Sequence, residues 1–306
     1  MYDLIVIGGG PAGLTATIYA IRKRLNVLLV SKDLGGKTNY RLALPWIEDY
    51  ETKGFSVIRG LEVIDKFRRE LEYLDFARHM EAVDDVRKDG DGFLVTTRGG
   101  AELPTRAIIV ATGARQMRMD VPGEKEFTMR GMCYSALSYA PLLIDRTTIV
   151  IGDGDLAQRS AAELAMIAKH VYVVCECSDY MDTPLALKLQ RSENVTILDG
   201  YKVLEVKGDD FARSVLLQGP DGEQTTLEAD GTFIEKALIP NSRMVAELLD
   251  LDDQYRIKVD WANRTSLDGV FAAGDVTNSY AEQVLVAVGE GAKAALSAYE
   301  YLLPIL

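Results

Sequence analysis

An α/β fold with two Rossmann-like nucleotide-binding domains is predicted by three observations. Two glycine-rich turns, Gly8-Gly9-Gly10-Pro11-Ala12-Gly13 and Gly152-Asp153-Gly154-Asp155-Leu156-Ala157, each follow a short apolar run and precede a helix-like stretch. The apolar runs are continuous rather than alternating, the pattern of parallel strands covered on both faces. With 306 residues the chain has room for about two domains of ordinary size.

The first unit opens on Leu4-Ile5-Val6-Ile7, turns through Gly8–Gly13, continues with helical character over Leu14–Ala20, and reaches a second apolar run at Val27–Val30. Strand, G-x-G-x-x-G, helix and strand in one βαβ unit is the context in which this motif carries meaning. Gly8 permits the tight turn, Gly10 lets backbone approach a pyrophosphate, and Gly13 lets the helix pack on the strand. The helix N-terminus offers unpaired N–H groups and the positive end of its dipole to the phosphates. A glycine-rich turn without a ligand is the plain alternative.

The second unit begins at Thr148–Ile151 and turns through Gly152, Gly154 and Ala157, the last an accepted small residue at that position. A helix is expected over Gln158–Lys169 and a strand over Val171–Val174. Asp153 and Asp155 would lie near any bound pyrophosphate, so a unit that no longer binds a nucleotide stays open. Two further strands are expected. Ala107–Ala114 ends in a small-residue turn, and Gly269–Asp275 closes on a glycine and a carboxylate.

Composition narrows the function classes. The chain is 48% hydrophobic and 26% charged, which excludes disorder. Its 34 basic and 46 acidic side chains leave a net charge of −12, which argues against nucleic acid and anionic membrane surfaces as partners. Between Gln116 and Lys236 stand 12 basic and 20 acidic residues, so the surplus concentrates mid-chain. No run reaches the roughly 18–20 apolar residues of a membrane span, and no basic segment precedes the first strand. Three cysteines form no disulfide framework, and a cytoplasmic location is expected.

The order G-x-G-x-x-G, Ala111-Thr112-Gly113, G-x-G-x-x-A and Gly269-Val270-Phe271-Ala272-Ala273-Gly274-Asp275 closely resembles that of the low-molecular-weight, flavin-dependent thioredoxin reductases and the related alkyl hydroperoxide reductase flavoproteins, of the pyridine nucleotide-disulfide oxidoreductase superfamily. The resemblance covers nearly the whole chain. It implies an FAD domain, residues 1–115 plus 237–306, split by an inserted NAD(P)H-type domain, residues 116–236. On that resemblance Gly8, Gly10, Pro11, Ala12 and Gly13 face the FAD pyrophosphate, with Ser31, Lys32 and Ala82 among the cofactor contacts. Ala111, Thr112 and Gly113 border the flavin. Gly36 and Lys37 match a Gly-Gly-Gln turn in which lysine replaces glutamine. Gly274 and Asp275 hold the ribityl or phosphate region, and Gln283 with Val284 matches a flavin-contacting Arg-Gln-Ala motif. A homodimer is implied by the same resemblance.

Three departures from that family bear on function. Its redox C-x-x-C matches Ser135 and Ser138 here, and a hydroxyl cannot cycle through a disulfide. Cys133 stands nearby, and a lone cysteine more often fills a core than carries electrons. The cationic cluster that holds the 2′-phosphate of NADPH matches Cys175-Glu176-Cys177-Ser178. A carboxylate at that strand end suits ribose hydroxyls, so NADPH is disfavoured and NADH stays open, with Gly152, Gly154, Ala157 and Glu176 as its site. A solvated glutamate is the alternative. Cys175 and Cys177, two apart on one strand, suit neither a disulfide nor a metal site and are read as structural; no metal site is expected. Trp46 is open as flavin-crevice, core or interface residue.

The functional expectation is an FAD-dependent oxidoreductase without a redox disulfide, reduced by NADH and passing electrons to an acceptor other than thioredoxin. The alternative is an FAD-binding protein whose inserted domain has lost NAD(P)H binding and which is reduced by a partner or holds a second nucleotide. A ferredoxin–NAD(P) reductase activity is a lesser alternative. Such enzymes carry a C-terminal extension over the flavin, whereas here a helix expected over Ala292–Leu303 lies at the end of the sequence, and the net charge would repel an acidic ferredoxin.

Overall fold

Uninterrupted apolar runs become the central parallel strands. The computed structural model describes residues 1–40, 42–47, 60–176 and 183–306, which fall into two compact units. Unit 1 holds Met1–Asn39, the described residues of Arg59–Arg115, and Ile239–Leu306. Unit 2 holds the described residues of Gln116–Leu238 and of Tyr40–Ile58. Tyr40 and residues 42–47, expected with the N-terminal portion, therefore fall in unit 2, where the Ala43 N–H donates to the Met129 carbonyl at 2.8 Å.

In unit 1, β1 (Tyr2–Ile7), α1 (Pro11–Arg22) and β2 (Val27–Val30) form the predicted βαβ unit. After α2 (Gly60–Glu72) come β3 (Arg78–His79), β4 (Val83–Asp89), β5 (Gly92–Thr97) and β6 (Glu102–Val110). The sheet runs β3-β2-β1-β6-β5-β4, and the strand Val270–Ala272 lies beside the second half of β6. β1 pairs in parallel with both β2 and β6, which shuts Leu4, Ile5 and Val6 away from solvent completely. Burial of each such side chain contributes about 1.5–3 kcal/mol.

One face of the sheet is covered by α1 and the helix Val284–Leu302, through Leu14, Ala16, Ile18, Ala294, Ala295 and Ala298. That helix starts eight residues before the expected Ala292. Val284, Val286, Val288 and two glycines are poor helix formers on their own, and packing against α1 overrides them. A Cβ on Gly291 would lie 2.1 Å from the Ala12 carbonyl oxygen, so the two backbones nearly touch there.

Unit 2 carries a five-stranded parallel sheet in the order Val195–Asp199, His170–Cys175, Thr147–Ile151, Gly231–Ile234, Met132–Cys133. A three-stranded antiparallel sheet follows the order Lys202–Gly208, Ala212–Gln218, Gln224–Glu228. The helix expected over Gln158–Lys169 spans Asp155–Ala165 instead. It begins directly at the turn with Asp155 in its first turn, where a carboxylate complements the dipole.

Candidate functional site

Strand register brings the separated motifs of unit 1 to one sheet edge. Ile7 stands opposite both Val30 and Val110, and Val110 opposite Ala272, so four parallel strands end in one row. Ligands of open α/β sheets bind beyond such carboxyl ends. Gly8 leaves the row at φ +109°, and a Cβ on it would come 2.4 Å from the Ala111 carbonyl oxygen. A Cβ on Gly13 would strike the Gly8 carbonyl oxygen at 1.7 Å, whereas one on Gly10 would meet nothing within 4 Å. The first and third glycines thus serve the protein's own packing, and the second faces open space. α1 has Pro11 at its start, no acidic residue in its first turn and no side-chain cap, which leaves its N-terminal dipole available to an anion.

Around this turn the other predicted residues divide. Ser31 accepts the Gly9 N–H at 2.8 Å and donates to the Asp33 carbonyl at 2.7 Å, so it braces the turn from behind. The Gly35 N–H donates to the Gly9 carbonyl at 2.7 Å, and the Gly36 N–H to Asp33 Oδ1 at 3.1 Å. Lys37 Nζ pairs with Asp275 Oδ2 at 2.5 Å. Gly274, at φ +80°, donates its N–H to Glu290 at 2.7 Å. Thr112 donates from Oγ1 to the Asn241 carbonyl at 2.7 Å, and the Asn241 side chain donates back to the Thr112 carbonyl at 3.0 Å. Asn241 pins the Ala111–Gly113 turn from far along the chain, as Glu290 pins Gly274, and neither carries a motif that singles it out. Gln283 is the N-cap of the last helix with Val284 as its first residue. Lys32 is exposed, and Ala82 is half-buried with its carbonyl taking the Arg98 N–H at 2.8 Å.

Unit 2 repeats the row of strand ends. Gly152 donates to the Val174 carbonyl at 3.0 Å, and a Cβ on it would come 2.3 Å from the Glu235 carbonyl oxygen. Gly154 is the N-cap of the helix and open, and Ala157 is fully buried beneath it. The Glu176 N–H donates to Asp153 Oδ1 at 2.5 Å, and its carboxylate pairs with Lys236 Nζ at 3.2 Å. The residue expected to receive ribose hydroxyls is therefore held by a lysine, and the aspartate of the turn is tied to the end of the second strand.

Ser135 and Ser138 flank the start of the short helix Ala136–Tyr139, and Ser135 Oγ donates to Ser138 Oγ at 2.9 Å. Glu235, buried to 1% exposure, accepts the Ala136 N–H at 2.7 Å and the Ser160 hydroxyl at 3.0 Å. Burial lifts its carboxyl from 4.5 to about 7, against the lowering pull of those two hydrogen bonds. Burial likewise pushes the Cys133 thiol up, which keeps it protonated and unreactive. Cys133 and Cys175 lie on strands separated by two others, roughly 14 Å apart at the usual spacing. Cys177 and Ser178 fall outside the described residues. Trp46 is half-buried and packs against the unit 2 core, donating to the Leu142 carbonyl at 3.3 Å with the Arg146 guanidinium 4.3 Å over its ring.

Residues 2–291 match the family described as pyridine nucleotide-disulphide oxidoreductase. The chain belongs to that family. The F subunit of alkyl hydroperoxide reductase from Staphylococcus aureus (strain MSSA476) is 32% identical over 306 residues, covering 99% of this chain and 59% of the relative. Its counterpart in Pseudomonas aeruginosa PAO1 is 34% identical over 307 residues, covering 99% and 58%. The chain thus spans less than two thirds of the length of these relatives. Thioredoxin reductase from Streptococcus pyogenes MGAS5005 superposes with a TM-score of 0.86 at 31% identity, covering 100% of this chain and 99% of that one. That from Giardia duodenalis gives 0.86 at 28% identity, covering 99% of each. FAD is the cofactor that this family implies. The open face of Gly10, the uncapped α1 and the lysine carried beside them suit a flavin dinucleotide. Among the described residues no helix is long and apolar enough to cross a membrane.

Proposed function

We propose that unit 1 binds FAD and that the protein is a thioredoxin reductase-like oxidoreductase whose electrons leave the flavin without a protein disulfide. What carries the reading is the contrast between a complete cradle at Gly8–Gly13 and the hydroxyl pair Ser135–Ser138 where relatives of the resembling family place two cysteines. FAD, when bound, supplies hydride acceptance and electron storage. The chain's own residues orient it. The N-terminus of α1 takes the diphosphate, Ser31 and Gly35 keep the turn closed behind it, and Asn241 holds Thr112 and Gly113 in place. NADH is the proposed reductant, with unit 2 as its domain, and the acceptor is a small oxidant, a quinone, dioxygen or a one-electron carrier. A homodimer completes the reading, on resemblance alone.

A second reading is favoured by one observation, the tie from Asp153 to the Glu176 backbone together with the Glu176–Lys236 pair. A nucleotide entering that turn would have to displace Lys236 from Glu176 and lie beside the Asp153 carboxylate. On this reading unit 2 has lost pyridine nucleotide binding and a partner reduces the flavin.

Anaerobic mixing of the yellow protein with NADH or NADPH separates the two. Bleaching by NADH at a rate matching turnover supports the first reading, and no bleaching by either nucleotide supports the second. Efficient NADH- or NADPH-driven reduction of thioredoxin would overturn the absence of a disulfide relay.

A further inference from the structure

We propose that Glu235 receives the nicotinamide end of a pyridine dinucleotide in unit 2, its free carboxyl oxygen accepting the carboxamide N–H; the inference rests on the reading of unit 2 as the NADH domain. Strand order gives the place. Thr147–Ile151 carries the glycine turn, with His170–Cys175 on one side and Gly231–Ile234 on the other. In doubly wound sheets a dinucleotide lies across such a switch point, its diphosphate at the helix after the first strand and its adenosine ribose at the end of the second. The adenosine half therefore falls towards Glu176, and the nicotinamide half crosses to the end of Gly231–Ile234. Glu235 is the next residue of that strand. Its N–H donates to the Ile151 carbonyl at 2.7 Å, and its carbonyl oxygen is the atom that a Cβ on Gly152 would strike, so its backbone flanks the turn.

The carboxyl group has one oxygen filled and one free. Oε1 accepts the Ala136 N–H at 2.7 Å and the Ser160 hydroxyl at 3.0 Å. Oε2 takes no hydrogen bond among the described residues. Among those residues the polar atoms sealed from solvent without a partner are His79 Nε2, Glu81 Oε2 and Asn263 Oδ1, so Glu235 Oε2 keeps an opening. An unfilled oxygen on a nearly buried carboxyl is unfavourable, and a ligand N–H relieves it. The carboxamide of nicotinamide supplies that donor. Ring charge adds a second preference. The ring is a cation in the oxidised nucleotide and neutral in the reduced one, so an ionised Glu235 favours the oxidised form in a partly desolvated site. Cys133, on the adjoining strand, brings no opposing charge, because burial keeps its thiol protonated. Lys236, next along the chain, is paired with Glu176.

The test is calorimetric titration of the flavin-loaded full chain with three ligands that donate no hydride: NAD+, tetrahydro-NADH, whose ring is neutral, and ADP-ribose, which lacks the nicotinamide. Wild type, Glu235→Ala and Glu235→Gln are compared at pH 8, where Glu235 is ionised. Glu235→Ala is expected to weaken NAD+ and tetrahydro-NADH roughly tenfold or more, the scale of one hydrogen bond to a charged group, and to hold ADP-ribose within about twofold. Glu235→Gln keeps a polar partner for the carboxamide, so tetrahydro-NADH stays within about threefold while NAD+ weakens several-fold with the loss of charge. Unchanged affinity of Glu235→Ala for both nicotinamide ligands overturns the inference. So does an equal loss of all three ligands, which would leave Glu235 as a cap of the Ser135–Ser138 segment. Should thermal unfolding show that Glu235→Ala does not fold, the glutamine variant decides, and a wild-type preference between NAD+ and tetrahydro-NADH in that variant overturns the inference. A wild-type chain that binds none of the three refutes the NADH reading itself.

Discussion

Ser135 donates its hydroxyl to Ser138 across 2.9 Å, at the start of the helix Ala136–Tyr139. The pair bonds as two neutral hydroxyls and stores no electrons. Denatured protein should therefore show three thiols both before and after exhaustive dithionite reduction, by thiol titration. Ser135→Ala/Ser138→Ala should reduce its flavin with the physiological donor within about twofold of the wild-type rate, since the lost neutral hydrogen bond is worth only about 1 kcal/mol of stability. A loss of several orders of magnitude would place the serines in the chemistry.

Glu235 makes stability depend on pH in a defined window. Its folded-state pKa is raised, from 4.5 to about 7, mainly by burial. The protonated form is then the one the fold favours, so stability is greatest below about 4.5 and falls as pH rises through 7. Glu235→Gln keeps an acceptor for Ala136 and Ser160 and removes the titration. The variant should lose this slope and gain on the order of 1–3 kcal/mol at pH 8, by urea unfolding at pH 5, 6.5 and 8. Parallel pH curves for the two proteins would refute the assignment. Asp252, lowered by its backbone and side-chain bonds with Arg256 despite the opposing effect of burial, acts in the opposite sense and only in acid.

The glycines of the first turn should separate fold from ligand. Gly10→Val places its side chain in open space and should leave unfolding of the flavin-free chain within about 1 kcal/mol of wild type while abolishing retention of FAD on desalting. Gly13→Ala drives a Cβ towards the Gly8 carbonyl and should destabilise by about 1–3 kcal/mol with or without flavin. If both variants lose stability equally, Gly10 is a structural position.

Lys236 bears on the second turn. Lys236→Met frees the Glu176 carboxylate for ribose hydroxyls, so NADH should bind or bleach the flavin several-fold better if unit 2 takes a nucleotide. NADPH should not improve, because the freed carboxylate repels the 2′-phosphate. Stopped-flow bleaching and direct NADH titration read this out. A gain for NADPH instead would reverse the role given to Glu176.

Features carried by neighbouring residues are the ones legible in the chain. The βαβ unit at Tyr2–Val30 announces itself because its strand runs, glycine spacing and helix start lie close together. The early start of the helix at Val284 is hidden, since valines and glycines argue against it and only contact with α1 reverses that preference. Trp46 suits three places equally by its chemistry, and its packing against the unit 2 core, with the Arg146 guanidinium over its ring and its N–H on the Leu142 carbonyl, is visible only in the fold.

By itself the sequence determined the fold class, the two glycine turns and the absence of cysteine at positions 135 and 138, because each is written in neighbouring residues. Only the tertiary structure decided that Lys37 meets Asp275, that Asn241 clasps Thr112, and that Glu235 lies buried under the Ser135–Ser138 segment. Those partners lie far apart along the chain, and nothing in local composition encodes them. Strand register brings them together by aligning the carboxyl ends of each sheet, and burial then raises the Glu235 carboxyl.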